Sequence, residues 1–337
     1  MTRADLSAAS KTRVPIPATR NLTGPMRIAT FNIQNLRLRR CGGVGRLDGA
    51  RDGDMPEDAT PAAAALDPID RRLTAEVLKL ADADVVALQE VFDRQTLDHF
   101  HDRVLLPAGA RPYPYRHCLP GNDGRGLDVA VMSRVEPRTV ISHAAETPAT
   151  LDLPPVRGCG LHDRVFRRDC LEVDLGGLVL FVCHFKAPYP DPVAAWPVRH
   201  LEARAVVRLI QRRFAEPAAG LWLVVGDLNE PAHEAPRLGR AVQPLLLGDF
   251  GLDLTRRLPP GERWTFHLPH TGIYSKPDAI IASPALAARF PEAVPQVIRA
   301  GLDREAERYS GPRLAAVGEH RPHASDHAAL AIDLPGL

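Results

Sequence analysis

A chain of 337 residues in which 45% are apolar and 25% charged can bury a sizeable core, as one large sandwich or as two ordinary domains. That balance excludes a fibrous or wholly disordered polypeptide. The formal net charge of +1 excludes the global basic excess that would by itself announce a nucleic-acid binder, while leaving local patches open.

From the N-terminus, residues 1–25 mix Ser, Thr, Arg, Ala and Pro without an apolar stretch, which predicts a disordered tail rather than a secretion signal. The first predicted strand is Arg27–Ile33. From Arg39 to Asp67 the composition shifts to Gly, Asp, Arg and Ala without a period, the signature of a long loop or insertion. A helix is predicted from Pro68 to about Ala81: Asp67 can cap it, Pro68 suits its first position, Asp70 complements its positive end, and Ile69, Leu73 and Val77 recur on one face. Strands follow at Asp84–Glu90, Leu127–Ser133, Cys170–Leu175 and Leu178–Phe185. A second helix, Pro197 to Phe214, carries Ala203, Val206, Ile210 and Phe214 on one side. Its other side carries the stripe His200, Arg204, Arg208 and Arg212, read as a solvated face rather than a phosphate ridge. The last strands are Leu221–Asp227, Asp278–Ser283 and Ala328–Leu334. Alternating strands and helices give an α/β class, in a single domain over residues 26–337. No segment stays apolar for about 18 residues, so no membrane span is expected and the chain reads as a cytoplasmic monomer. Cys41, Cys118, Cys159, Cys170 and Cys183 show neither a C-x-x-C pair nor zinc-like spacing, which argues against a disulfide framework. Cys183, inside an apolar run, reads as a buried, inert thiol.

Polar residues collect at the strand ends. The apolar run from Leu221 finishes in Gly226-Asp227-Leu228-Asn229, where Asp227 can accept a proton and Asn229 can donate hydrogen bonds. If extended geometry persists, the two face one ligand; a turn favouring Asp and Asn for backbone reasons is the alternative. Asp326 and His327 stand side by side before the last strand, and as neighbours in extended chain they must use different partners or a local bend. Glu90 ends its strand after Gln89, Asn32 lies in Phe31-Asn32-Ile33-Gln34-Asn35, His184 ends the strand from Leu178, and Asp278 opens another. Each block alone is common.

Taken in order, T-F-N-I-Q-N-L at Asn32, L-Q-E-V at Glu90, C-H-F-K at His184, G-D-L-N at Asp227, K-P-D-A-I-I-A-S at Asp278 and S-D-H at Asp326 resemble the endonuclease/exonuclease/phosphatase superfamily over roughly residues 26 to 334. The resemblance implies a four-layer α/β/β/α sandwich of two mixed sheets flanked by helices. It also implies that Glu90 and Asp326, helped by Asn32, hold Mg2+ or Mn2+; that Asp227 positions or activates the attacking water; that Asn229 and His184 bind the scissile phosphate; and that Asp278 orients His327, which stabilises charge at phosphorus. Arg125, Arg168 and Lys186 are weaker candidates for substrate phosphate, against structural pairing with Asp123, Asp128 and Asp169. The cluster His320, Arg321 and His323 reads as a solvated lead-in to S-D-H. Trp196, Trp264 and Tyr189 can stack on bases or anchor loops.

Two features depart from the family. The segment Gly124 to Arg134 lacks the tyrosine of the abasic-site repair branch, and Lys276-Pro277 precedes Asp278 where an apolar residue is commoner. The expected activity is metal-dependent phosphodiester hydrolysis, nuclease-like on DNA or RNA. The alternatives are a phosphomonoesterase or lipid phosphodiesterase acting on a small phosphate ester and, behind these, a non-catalytic binding module.

Overall fold

The computed structural model describes residues 25–41, 43–51, 60–231, 238–269 and 271–337. The tail expected over residues 1–25 lies almost wholly outside the described residues, as does part of the insertion. In chain order the described elements are β1 (Met26–Leu36), β2 (Leu38–Cys41), β3 (Val44–Leu47), α1 (Pro61–Ala64), α2 (Asp67–Ala81), β4 (Val85–Val91) and α3 (Arg94–Phe100). A π-helical turn at His101–Leu105 continues α3. Then come β5 (Tyr115–Cys118), β6 (Asp128–Ser133), β7 (Thr139–Ser142), β8 (Cys170–Asp174), β9 (Val179–His184), α4 (Pro192–Arg213) and β10 (Trp222–Asp227), followed by β11 (Leu252–Asp253), β12 (Phe266–Leu268), β13 (Ile273–Ser275), β14 (Asp278–Ala282), α5 (Pro284–Arg289), β15 (Gln296–Ile298) and β16 (Ala329–Leu334).

Two six-stranded mixed sheets result, ordered β15-β16-β1-β4-β6-β5 and β11-β14-β10-β9-β8-β7. Each contains one central parallel pair, β1 with β4 and β9 with β10. A parallel pair needs a long crossover, and α2 and α4 supply the two. The faces that meet between the sheets are aliphatic, with Ile28, Val85, Val129 and Ile332 from one and Leu171, Leu180, Val225 and Ile280 from the other. The outer face of the first sheet packs on Leu73, Val77 and Leu78 of α2, and that of the second on Leu201, Val206 and Ile210 of α4. This is the four-layer sandwich implied by the motifs: strands buried on both faces read as continuous apolar runs.

Several expectations need correction. Asp67 does not cap α2: the N-cap is Leu66, without a side-chain bond, because the Asp67 carboxylate is taken by Arg51 and Arg321. Ile69 is 38% exposed and does not share the buried face. Helix α4 starts five residues before Pro197, where the Asp191 carboxylate caps Val193 N–H and Pro192 occupies the first turn. Its basic stripe is partly tied down: His200 contacts the Ala241 carbonyl, Arg208 donates to the Leu151 carbonyl, and Arg212 pairs with Glu146. The insertion holds the β2–β3 hairpin and α1 rather than loop alone. Arg321 is not in a solvated loop, since it pairs with the fully buried Asp70. The described thiols Cys118, Cys159, Cys170 and Cys183 are free and buried.

Candidate active site

Strand direction gathers the polar residues. In each sheet the parallel pair brings two strand C-termini to one edge, and the antiparallel neighbour brings its N-terminus there. In the second sheet the register is strict: Asp227 lies opposite His184 on one side and opposite Asp278 on the other, so three site residues form a row across three strands. Gly226 permits this row. It sits at φ 137°, and a Cβ there would lie 2.0 Å from the Cys183 carbonyl oxygen.

In the first sheet, pairing between β1 and β4 slips after Asn32, and pairing between β4 and β6 slips around Glu90. The bulge takes Glu90 out of the ladder and re-aims its side chain. Four non-glycine residues around the site adopt left-handed backbone, Gln34 at φ 47°, Asn35 at 55°, Glu90 at 67° and Asn229 at 52°. Left-handed backbone is costly for a glutamate, and such outliers concentrate where function demands them.

The centre is Asp227, 2% exposed. Its Oδ2 accepts from Asn32 Nδ2 at 3.1 Å and lies 3.5 Å from His184 Nε2 and 3.8 Å from His327 Nε2. Its Oδ1 accepts the Asn229 backbone N–H at 2.8 Å. Burial pushes the carboxyl up to about 6, against the opposing pull of His327. Burial alone would lower His327, but Asp278, Asp326 and Asp227 together hold it well above the usual imidazole range. Asp278 Oδ2 lies 2.8 Å from His327 Nδ1 and accepts from Thr265 Oγ1 at 2.6 Å. His184 is the converse case: burial, then the charges of Arg168 and His327, depress it, so its ring is neutral. Its Nδ1 is buried without a hydrogen-bond partner among the described residues.

Asn32 links the two sheets, because its Nδ2 also donates to Glu90 Oε1 at 3.3 Å, while its Oδ1 accepts Gln34 N–H. Glu90 Oε2 accepts Asn35 N–H at 2.8 Å. Ser325 Oγ donates to the Asn32 carbonyl at 2.7 Å and lies 3.2 Å from Asp326 Oδ1, and Gln34 Oε1 accepts Asp326 N–H. The chain bends at Asp326, and the two neighbours use different partners, the Asp326 carboxylate Ser325 and the His327 ring Asp278. Among the described residues no three His, Cys, Asp or Glu side chains form a metal cage. The hard oxygens of Glu90 and Asp326 nonetheless suit a cation such as Mg2+, which takes one or two carboxylates and keeps several waters.

Asn32, Glu90, His184, Asp227, Asp278 and His327 are thus joined by direct contacts, with Asp326 tied in through Ser325. Asn229 departs from the strand-parity expectation: the chain turns, its backbone caps Asp227, and its Nδ2 donates to the Phe185 carbonyl at 3.0 Å. Arg168 donates to that same carbonyl at 2.9 Å and pairs with Asp123. Arg125 is exposed and pairs with Asp123, and Lys186 turns its ammonium to its own loop, at the Ala187 and Tyr189 carbonyls. Trp264 is buried, Trp196 stacks on His200, and Tyr189 stays exposed. Gln34, Thr265 and Ser325 were assigned no role from the sequence. Gln34 and Ser325 lie inside T-F-N-I-Q-N-L and S-D-H, but nothing local marks Thr265, which is 13 residues from Asp278 in the chain.

A family model described as Endonuclease/Exonuclease/phosphatase family matches residues 29–327. A comparison with curated proteins finds no match. Among solved structures, truncated TDP2 from Caenorhabditis elegans is similar with a TM-score of 0.53 at 15% identity, over 92% of this chain and 98% of that one. An endonuclease/exonuclease/phosphatase protein from Beutenbergia cavernae gives 0.52 at 18%, over 93% and 72%. Danio rerio TDP2 complexed with a single-strand DNA product gives 0.51 at 16%, over 92% and 98%. At such identities the likeness speaks for the fold.

Proposed function

The chain belongs to the endonuclease/exonuclease/phosphatase family, and we propose that within it this protein is a divalent-metal-dependent phosphodiesterase acting on nucleic acid. The observation that carries this reading is the buried carboxylate of Asp227 with His184 on one side and the Asp278-held His327 on the other. Phosphoryl transfer needs positioning and charge neutralisation more than covalent chemistry, and each of these groups offers one of the two. Asp227, raised by burial yet still ionised near neutrality, accepts the proton of an attacking water. The His327 imidazolium, fixed through Nδ1 by Asp278, directs its Nε2–H at the negative charge that builds on the phosphoryl oxygens. The neutral His184 has a ring proton to donate to the same group.

Glu90 and Asp326 would hold the cation, which when bound neutralises phosphate charge as a Lewis acid. Asn32 spaces Glu90 from Asp227, so two carboxylates share one edge without touching. A fold relative captured with a single-strand DNA product supports nucleic acid as the substrate class. The test is hydrolysis of plasmid DNA, RNA, bis-(p-nitrophenyl) phosphate and p-nitrophenyl phosphate in Mg2+ or Mn2+, with EDTA and Asp227→Ala controls. The expected result is metal-dependent cleavage of nucleic acid and of the diester, absent from both controls. Turnover of the monoester alone would replace this reading with a phosphomonoesterase.

A further inference from the structure

Outside this site, the outer face of α2 borders a groove of about 1130 Å³. One wall is the solvent side of α2, where Pro68, Arg72, Glu76 and Leu80 recur at four-residue steps. Facing it are the β2–β3 hairpin, through Arg46, and the π-helical turn, through Arg103 and Val104. With a rise of 1.5 Å per residue, the stretch from Pro68 to Leu80 makes the groove about 18 Å long.

Its charge is one-sided. Seven Lys or Arg but only three Asp or Glu line it, in a chain that is nearly neutral overall. Each of the acids already has a partner: Arg39 with Asp48 at 2.7 Å, Arg51 with Asp67 at 3.0 Å, and Arg72 with Glu76 at 3.2 Å. Buried Arg71 is occupied by the carbonyls of Ile33, Gln34, Asp48 and Gly49. Arg46, Lys79 and Arg103 remain, all exposed and without an ion pair among the described residues. Three cations around one concavity repel one another and raise the local concentration of anions. The π-helical turn that carries Arg103 is a rare geometry that recurs at functional sites.

One residue of the groove's lining, Arg51, is tied to the catalytic edge through Asn35. The Arg51 carbonyl accepts from Asn35 Nδ2 at 2.9 Å, and the Asn35 backbone N–H is the donor to Glu90. We propose that this groove is a second polyanion site, which takes the sugar-phosphate backbone of a single strand of nucleic acid beyond the scissile bond. The inference rests on the nucleic-acid reading above and deepens it. No Phe, Tyr or Trp lines the groove, so recognition here follows phosphates rather than bases and is independent of sequence and sensitive to salt.

The test is fluorescence anisotropy in EDTA with labelled oligo-dT of about 4 and about 20 nucleotides, the shorter being too short to fill site and groove together. The wild type is compared with the triple variant Arg46→Glu, Lys79→Glu, Arg103→Glu. The expected result is at least a tenfold weaker 20-mer with the 4-mer nearly unchanged, and a salt slope shallower by about 2, three contacts at roughly 0.7 each. Turnover of bis-(p-nitrophenyl) phosphate by the triple variant serves as the folding control and should stay at the wild-type level. The milder triple Gln variant should fall between the two. Wild-type affinity and slope in a triple variant that still turns over the diester would overturn the groove, as would a wild type that binds the 20-mer no better than the 4-mer. Groove-dependent binding by a wild type that cuts no nucleic acid would uphold the groove and refute the nuclease reading.

Discussion

Among individual residues, Asp227 carries the most testable consequence. It is buried and touches both sheets through Asn32, yet it lies at the strand end, so Asp227→Ala should leave the circular dichroism spectrum unchanged and lower diester hydrolysis by at least a hundredfold, within the range for a lost general base. Retained activity would remove it from the mechanism. Glu90→Ala should raise the Mg2+ concentration for half-maximal activity about tenfold or more, since even groups that only orient a metal ligand cost that much. Asp169 tests burial away from the site: it is 1% exposed, its Oδ1 accepts His143 N–H, and burial raises it to about 6. A folded carboxyl raised above its unfolded value holds a proton that the unfolded chain releases, so stability is lost as pH rises from about 4 through 6. Asp169→Asn should therefore gain stability relative to wild type between pH 4 and pH 8, on the order of 1–3 kcal/mol, measured by urea unfolding at both pH values. A flat difference would mean that Asp169 is solvated. Glu90, His184, Asp227, Asp278 and Asp326-His327 are legible because each ends or opens an apolar run, and they and Asn32, which lies inside β1, because their motifs follow one another in the order of the family they resemble. Gln34, Ser325 and Thr265 are not, because their work is to hold other side chains, and a lone Thr between elements carries no mark of its partner.

Elements were legible in proportion to their burial. The eight central strands, apolar on both faces, are legible within a few residues, whereas β5, β7, β11, β15 and the hairpins β2–β3 and β12–β13 are short, partly exposed and mixed in polarity, so they leave no period to read. The start of α4 was misplaced for a different reason. Two prolines, Pro192 and Pro197, could each open a helix, and the choice is made by the Asp191 side chain on Val193 N–H at 2.9 Å, a contact that spacing does not display. Asp191→Ala should accordingly cost about 1 kcal/mol. The sharper test at this scale is Gly226→Ala. Its Cβ would fall 2.0 Å from a backbone oxygen on β9 at a φ few side chains adopt, and neither strand can yield without breaking the row that sets His184 against Asp227. The expected loss exceeds about 3 kcal/mol by thermal or urea unfolding, well above the roughly 1 kcal/mol of an ordinary substitution. A near-neutral result would show that β9 and β10 can part without harm to the sheet.

For the whole molecule, the path of the chain decides how it should unfold. The first sheet takes β1, β4, β5 and β6 from the N-terminal part, then β15 and β16 from the C-terminal end, while the second sheet is built in between. β16 pairs with β1 from Met26↔Leu334 to Thr30↔Leu330, closing the first sheet with the last strand. The aliphatic layer between the sheets draws on both: Leu330 and Ile332 from the end of the chain meet the same core as Ile28 near the start and Leu180 in the middle. No cut divides the sequence into two segments that each keep a complete sheet, so neither sheet can melt while the other retains its packing. Urea unfolding should therefore be one transition, with far-UV circular dichroism and tryptophan fluorescence coincident. Trp222 reports from the outer core of the second sheet, and Trp264 from a small cluster with Leu302, Ala306 and Ala328 beside the start of β16. Single-tryptophan variants retaining one or the other should give the same midpoint. Separated midpoints would mean that the sheets fold as independent units and that the site, assembled from both, can be lost while half the molecule stays folded.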